Sequence, residues 1–513
     1  MKKVLSIVLA LSLVLGLAAT SAFAEEKVLI VSLGGEPVTF NSCAISDDYA
    51  YQLAHSVFSA LVVLNNNSEI VGDLAKDWTI SEDNKTYTFH LWENVKWHDG
   101  EPFTAEDVKF TFEKIIANNG ILAKDLAVID SITCPDDNTL VIVTKEPTAP
   151  FLASLAWYGN TILPKHIYDT DEDWTSIPAA TSHPIGTGPY KFVDYQTGVS
   201  ITLEKNEDYF RGVPEVDRIV VTFNSDADST YQAFLNGEID FISNVPSSAV
   251  ADLLANDNYS VGVLSAARRF QMCFNMDGEI TSNLAVRQAV ARSLDREEIS
   301  LKGTNGLQAP AYGFYPPFLE WAYNDQVDIG EQDYEAAIKI LEDAGFIRDD
   351  TGNFLHLSLL VFTGGTYADC ARVIRSQLAN VGIDVTIEVL EEGSWVERVF
   401  SKNYDLCILA GNQGPDPNNM STRVGTGGSL NVSFYSNPEV DELLAQARVL
   451  TVNEERGALY KKVQEILSVD LPLVPLVEYA AFFACPANIT GIPYVDTTAN
   501  DIAPYNFCEV KIN

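Results

Sequence analysis

Basic residues are scarce. The 513-residue chain carries 33 Lys and Arg against 71 Asp and Glu, a formal net charge of −38. Phosphate backbones and anionic lipid surfaces are held by clustered Lys and Arg, so this balance argues against a nucleic-acid partner and against membrane adhesion. It reads as a solvated surface that keeps an exported protein in solution. Cysteine is also sparse. Cys43, Cys134, Cys273, Cys370, Cys407, Cys485 and Cys508 are widely spaced with no C-x-x-C, which excludes a disulfide scaffold or a zinc module. The odd count leaves at least one thiol free; one or two bridges are open to an exported chain, and burial as small apolar groups is the expected state of most. The six histidines have no i, i+4 spacing, and no phosphate loop, G-x-G-x-x-G, G-x-S-x-G or H-E-x-x-H is present. His98-Asp99 reads as a local hydrogen-bonded pair and Gly425–Gly428 as a connector. No catalytic residue, metal ligand or cofactor is expected.

Long apolar runs are missing too, with one exception. Lys2 and Lys3 precede an apolar stretch from Val4 to Leu17, and Ala22-Phe23-Ala24 places small residues where a signal peptidase reads. The segment is short for a membrane span and reads as a secretory leader cleaved after Ala24. Since the first cysteine is Cys43, no lipid-anchor cysteine follows the cut, and a free periplasmic protein is expected.

What remains is rich enough for real cores: 47% of residues are hydrophobic and 10% aromatic. Length suggests two to four domains. Strand and helix signals alternate, which gives an α/β class. Val385–Val389 alternates like a half-buried strand, and 139–144, 201–205, 218–223, 404–410 and Thr86–Trp97 are further strand candidates. Tyr367, Ala371, Ile374, Leu378 and Val381 share one helical face ahead of Gly382, and Tyr334, Ile338 and Leu341 ahead of Gly345 repeat the design. Thr104 caps a helix with acids in its first turn, and Asp99-Gly100 is a turn. No repeat or long linker separates these units.

Several motifs together resemble one family. Tyr87–Lys109, with Trp97-His98-Asp99-Gly100 and Phe103-Thr104-Ala105-Glu106-Asp107, is similar to the signature of family 5 extracellular solute-binding proteins, the peptide/nickel-type receptors of ABC importers. Gly72–Trp78, Leu163–His166, Ile185–Tyr190, Asn206–Tyr209, Val286–Ala289 with Asp295-Arg296, and Asp416-Pro417 follow in the family's order. The resemblance implies a bilobal, periplasmic-binding-protein type II-like fold with three interleaved domains. Domain I would comprise 25–66, 186–265 and 478–513, domain II 67–185 and domain III 266–477, with hinge crossings near 266–275 and 478–487. It implies a receptor that performs no covalent chemistry, closes its lobes on a peptide or related solute and hands it to a membrane permease, acting as a monomer.

The resemblance also locates candidate contacts. The family's ammonium-binding aspartate stands three residues before the Asp of Asp-Pro; the matching position is Gln413, and 411–415 contain no acid. The arginine that dipeptide receptors use for the carboxylate has no counterpart in 360–365. Loss of both clamps points to a longer, blocked or cyclic peptide, or to a neutral solute such as an oligosaccharide. A nickel or metallophore receptor would need a cleft histidine, and a non-transport sensory role is the remaining alternative. The candidate ligand contacts are Glu36 and Val38, Tyr158 and Asn160, Trp395, the Gly411-Asn412-Gln413 stretch, Asp416 and Arg423.

Overall fold

The computed structural model describes residues 26–513 except 46, 66–68, 265–267, 413 and 496–504. The expected leader and Gln413 therefore lie outside the described residues. The class is α/β, built on three main sheets. A seven-stranded sheet runs in the order Tyr259–Leu264, Ala481–Pro486, Phe241–Ile242, Val28–Leu33, Arg218–Phe223, Ser200–Lys205, Tyr190–Gln196. A five-stranded sheet runs Ile383–Leu390, Leu355–Phe362, Leu406–Asn412, Arg268–Phe274, Leu473–Glu478. A four-stranded antiparallel sheet, Ala75–Ile80, Thr86–Leu91, Thr139–Thr144, Ile129–Asp136, is inserted between strands of the first.

Local chemistry explains the elements. In the Tyr367–Ala379 helix, Cys370, Ala371, Ile374 and Leu378 are buried, and Gly382 beyond its end takes φ +79°, a conformation that favours glycine. This helix covers the parallel pair Leu355–Phe362 and Ile383–Leu390. The Ala105–Ala117 helix begins where Asp107 accepts the Thr104 backbone N–H at 2.9 Å and, through its other oxygen, the Lys165 N–H at 3.0 Å. The strand expected over Thr86–Trp97 stops at Leu91, because Asn94 turns the chain with φ 62°. All seven thiols are free, five of them buried.

The inserted sheet is fastened to the seven-stranded sheet by the segment 185–190. A Cβ on Gly186 would stand 1.9 Å from the Val57 carbonyl oxygen, so the motif needs glycine for close approach rather than for flexibility. His98 does not pair with Asp99. Its Nε2–H donates to the Gly188 carbonyl at 3.0 Å and its Nδ1 accepts the Gly186 N–H at 3.2 Å, so both ring nitrogens serve this junction in the neutral form. Asp99 is bonded to His166 instead, at 2.8 Å.

The chain passes from the seven-stranded to the five-stranded sheet between Leu264 and Arg268, and returns between Glu478 and Ala481. The residues that flank the two crossings are paired, Leu264 opposite Ala481 and Arg269 opposite Glu478, both in antiparallel register. Arg269, 1% exposed, ion-pairs with Glu478 at 2.5 Å and donates to the carbonyls of Tyr315 (2.8 Å) and Gly313. Burial pushes both groups toward their neutral forms, and their mutual attraction only offsets part of that. The pair therefore fixes geometry more than it adds stability.

Two outcomes follow for stability. Gly186→Ala forces backbone apart and should cost about 1–3 kcal/mol in urea unfolding; an unchanged midpoint would show that the contact relaxes freely. His55 is buried, and burial lowers its pKa to about 4. The unfolded chain takes up that proton near pH 6.5 while the fold refuses it, so stability is complete above the unfolded value and is lost as pH falls from 6.5 toward 4. The loss from this one group should reach ~3 kcal/mol. Urea melts at pH 7 and 4.5 should show a drop that His55→Phe reduces by about that amount.

Candidate ligand-binding cavity

A cavity of about 340 Å³ lies where the two crossings meet the ends of both sheets. From the seven-stranded side it is lined by Gly34, by Asp48, Tyr49, Tyr51 and Gln52 of the Asp48–Val57 helix, by Ser243 and Asn244, and by Phe483, Tyr494 and Tyr505. The inserted unit supplies Trp157 and Tyr158. From the five-stranded side come Arg268, Phe318, Gly414, Pro415 and, at the return crossing, Tyr479. Nine aromatic rings line the wall, six of them tyrosines that add hydroxyls to it, and Asp48 and Arg268 are its charged members.

Each element places its side chain for a local reason. Asp47 caps the Asp48–Val57 helix by accepting the backbone N–H groups of Tyr49 (2.9 Å) and Ala50 (3.2 Å). Asp48 then falls in the first turn, where the helix dipole favours a carboxylate. Tyr51, one turn on, stacks on Tyr158 with ring centroids 4.2 Å apart and planes at 15°. That stacking directs the Tyr158 hydroxyl, which donates to Asp48 Oδ1 at 2.8 Å. Successive strand residues point to opposite faces. Arg269 therefore goes into the crossing, while Arg268 turns to the cavity, its Nη2 3.5 Å from Asp48 Oδ2 and its guanidinium 5.9 Å from the Tyr479 ring centre. Burial opposes the Arg268 charge, but Tyr158, Asp48 and Tyr479 outweigh it, and its pKa is raised.

The sequence-derived candidates divide. Tyr158 lines the cavity, and so do Gly414 and Pro415 just after the Gly411–Gln413 stretch. Gly411 sits on the Leu406–Asn412 strand against the Arg423 guanidinium, which a Cβ would meet at 2.3 Å; Asn412 ends that strand. The others serve the fold. Glu36 Oε1 accepts the Tyr195 hydroxyl (2.6 Å) and the Gly198 N–H (2.7 Å), so its carboxylate holds a hairpin. Val38 is 77% exposed outside the wall. Asn160 is buried, with Nδ2 directed to the Val62 carbonyl at 3.4 Å. Trp395 is buried against Phe362, rings 4.4 Å apart. Asp416 caps the short Pro417–Met420 turn and ion-pairs with Arg456 at 2.7 Å. Arg423 is buried rather than exposed, and burial lowers its pKa to about 10.

Sequence reasoning missed Asp48 and Arg268. Both carried a signal: an acid pair opening a Tyr-x-Tyr helix, and adjacent arginines at the expected crossing of a chain poor in arginine. Both line the cavity, one from each side.

The family model described as bacterial extracellular solute-binding proteins, family 5 middle, matches residues 69–431. The chain belongs to this family. Among curated relatives of this family 5 protein, the di/tripeptide-binding protein 2 of Pseudomonas aeruginosa is 29% identical, with 98% of each chain covered. Among solved structures, the ABC transporter substrate-binding protein CtaP of Listeria monocytogenes superposes with a TM-score of 0.85 at 24% identity, over 95% of this chain and 99% of that one. The DppA protein of Helicobacter pylori, solved with the peptide STSA, gives 0.80 at 25% identity over 94% and 98%. Among the described residues no helix is long and apolar enough to cross a membrane.

The role given to Asp416 is open to a direct check. Breaking a buried ion pair from one side costs about 3–5 kcal/mol. Asp416→Asn should lower the unfolding free energy by that order while the folded protein keeps its cargo affinity within about twofold. A stable variant that has lost affinity would instead place Asp416 on the ligand.

Proposed function

We propose that this family 5 protein is the extracytoplasmic receptor of an ABC importer and that its cargo is a short peptide. The observation that carries this reading is the position of the cavity: its walls come from both sheets, and the chain joins those sheets by two adjacent crossings. A molecule held there touches both sides at once. Such a ligand favours the arrangement in which the walls are near each other, and it does so only by its differential affinity for the near and spread arrangements. The hinge would be the crossings near 266–275 and 478–487, with 25–66, 67–185, 186–265 and 478–513 moving against 266–477.

The lining suits a peptide. About 340 Å³ is at the small end of the ~300–1,000 Å³ typical of small-molecule sites, and aromatic walls with a few polar groups are the usual composition. The relative named as a di/tripeptide-binding protein supports the same size class. The protein acts as a monomer in this reading, reaches its compartment by cleavage after Ala24 without a lipid anchor, performs no covalent chemistry, and passes its cargo to a membrane permease.

Such receptors keep cargo through purification when release is slow. Native mass spectrometry of freshly purified protein should show adducts whose fragments are amino-acid residues, lost on denaturation. A preparation that carries only a metal ion or a sugar would defeat the peptide reading.

A further inference from the structure

Two of the seven cysteines face each other. Cys273 and Cys407 are register partners on the antiparallel strands Arg268–Phe274 and Leu406–Asn412, and both are thiols in this structure. Directly opposed residues point to the same side of a sheet, so both side chains enter one core, where they are 1% and 0% exposed. The two sulfurs adjoin there, beside Tyr404. Two residues along, the Asn275 N–H donates to the Asp405 carbonyl at 3.0 Å. Ladder alternation therefore puts the cysteines in the hydrogen-bonded class of opposed pairs, whose Cα atoms stand ~5.5 Å apart. A disulfide needs a Cα separation of about 4.4–6.8 Å, so this backbone already meets the requirement. Other cysteines have different neighbours. Cys485 lies opposite Ser260, and the Cys43 thiol donates to the Thr161 carbonyl at 3.1 Å.

We propose that Cys273 and Cys407 are oxidised to a cross-strand disulfide while the exported chain folds, and that this bond pins the five-stranded wall of the cavity. It rests on the export reading above and is independent of what the cargo is. The oxidant is a disulfide donor, either a thiol-oxidising protein of the receiving compartment or oxidised glutathione. One cysteine thiolate attacks a donor sulfur, the donor S–S bond breaks, and one donor thiolate leaves. The second cysteine thiolate attacks the protein sulfur of that mixed disulfide, and the other donor sulfur leaves. The two cysteines lose two electrons and their two protons; the donor disulfide becomes two thiols. The order of events is set by burial. Inside the core the Cys407 thiol is held protonated, well above its ordinary range, and a protonated thiol does not attack. Exchange therefore belongs to the stage before the core closes, and afterwards the bond is shielded. Both strands run on to the cavity: one begins at Arg268, and the other ends just before Gly414. A covalent tie between them forbids the one-residue slip that would turn Arg268 away from the cavity.

The test maps the thiols of two preparations. The full chain is exported by its own leader into an oxidising periplasm, and a chain without residues 1–24 is made in a reducing cytosol. Each is denatured in N-ethylmaleimide, digested and read by mass spectrometry, and N-terminal sequencing of the first reports cleavage of the leader. The exported protein should yield one peptide pair joined through Cys273 and Cys407, with the label on the other five cysteines. The cytosolic protein should carry the label on all seven. Oxidised glutathione added to the folded cytosolic protein should leave both thiols labelled, whereas the same reagent present during refolding from urea should give the 273–407 pair. An exported, leader-cleaved protein with Cys273 and Cys407 both labelled, or bridged to other cysteines, overturns the proposal. An uncut leader counts against the export reading instead, and the refolded chain then decides: the joined pair upholds the bridge, and two labelled thiols overturn it.

Discussion

The buried pair between Arg269 and Glu478 is the constraint on which the cavity depends. It sits where the chain twice crosses between sheets, and it locks the first crossing strand to the second in one register. A one-residue slip would turn every side chain of the strand to the other face. With Arg269 fixed inward, Arg268 has to face the cavity. Two adjacent residues of one type thus take opposite places, one buried in the crossing and one facing the cavity, by strand alternation alone. The net pull of the pair is small after burial is counted. Its contribution is to position Arg268 and Tyr479 on one side of a cavity whose opposite wall is an independent helix.

The same logic explains why the family could be read from the sequence while the site could not. The motifs that carry the resemblance are structural devices. Gly186 lets two backbones touch, Asp107 closes a helix end, and Asn206 donates to the Gly188 carbonyl at 3.0 Å. Arg287 and Arg296 spend their donors on backbone carbonyls such as those of Asp470 and Pro475, and Asp416 is spent on Arg456. Each requirement is local or nearly so, and each leaves a recognisable spacing. Strand alternation and helical faces were legible for the same reason, as in 139–144 and 367–379. The cavity is assembled from residues hundreds of positions apart: Asp48, Tyr158, Arg268 and Tyr479 meet only after both crossings are made. No spacing in the chain records that meeting, and transfer of contacts by motif landed on residues such as Glu36 and Trp395, which the fold had already employed.

Scarcity of basic charge now has a more particular meaning. A surplus of acids keeps the exterior solvated, yet the cavity balances one carboxylate with one guanidinium. In so acidic a chain two adjacent arginines at a crossing are conspicuous, and an aromatic-rich wall magnifies the difference between a paired and an unpaired charge.

The central claim is that cargo bridges the two sides of the crossings. Hydrogen–deuterium exchange of the protein with and without its tightest peptide tests this most directly. The account predicts added protection on both walls together, in the first turns of the Asp48–Val57 helix and in the turn from Gly414 to Met420. Protection confined to one wall, or none at either, would contradict it.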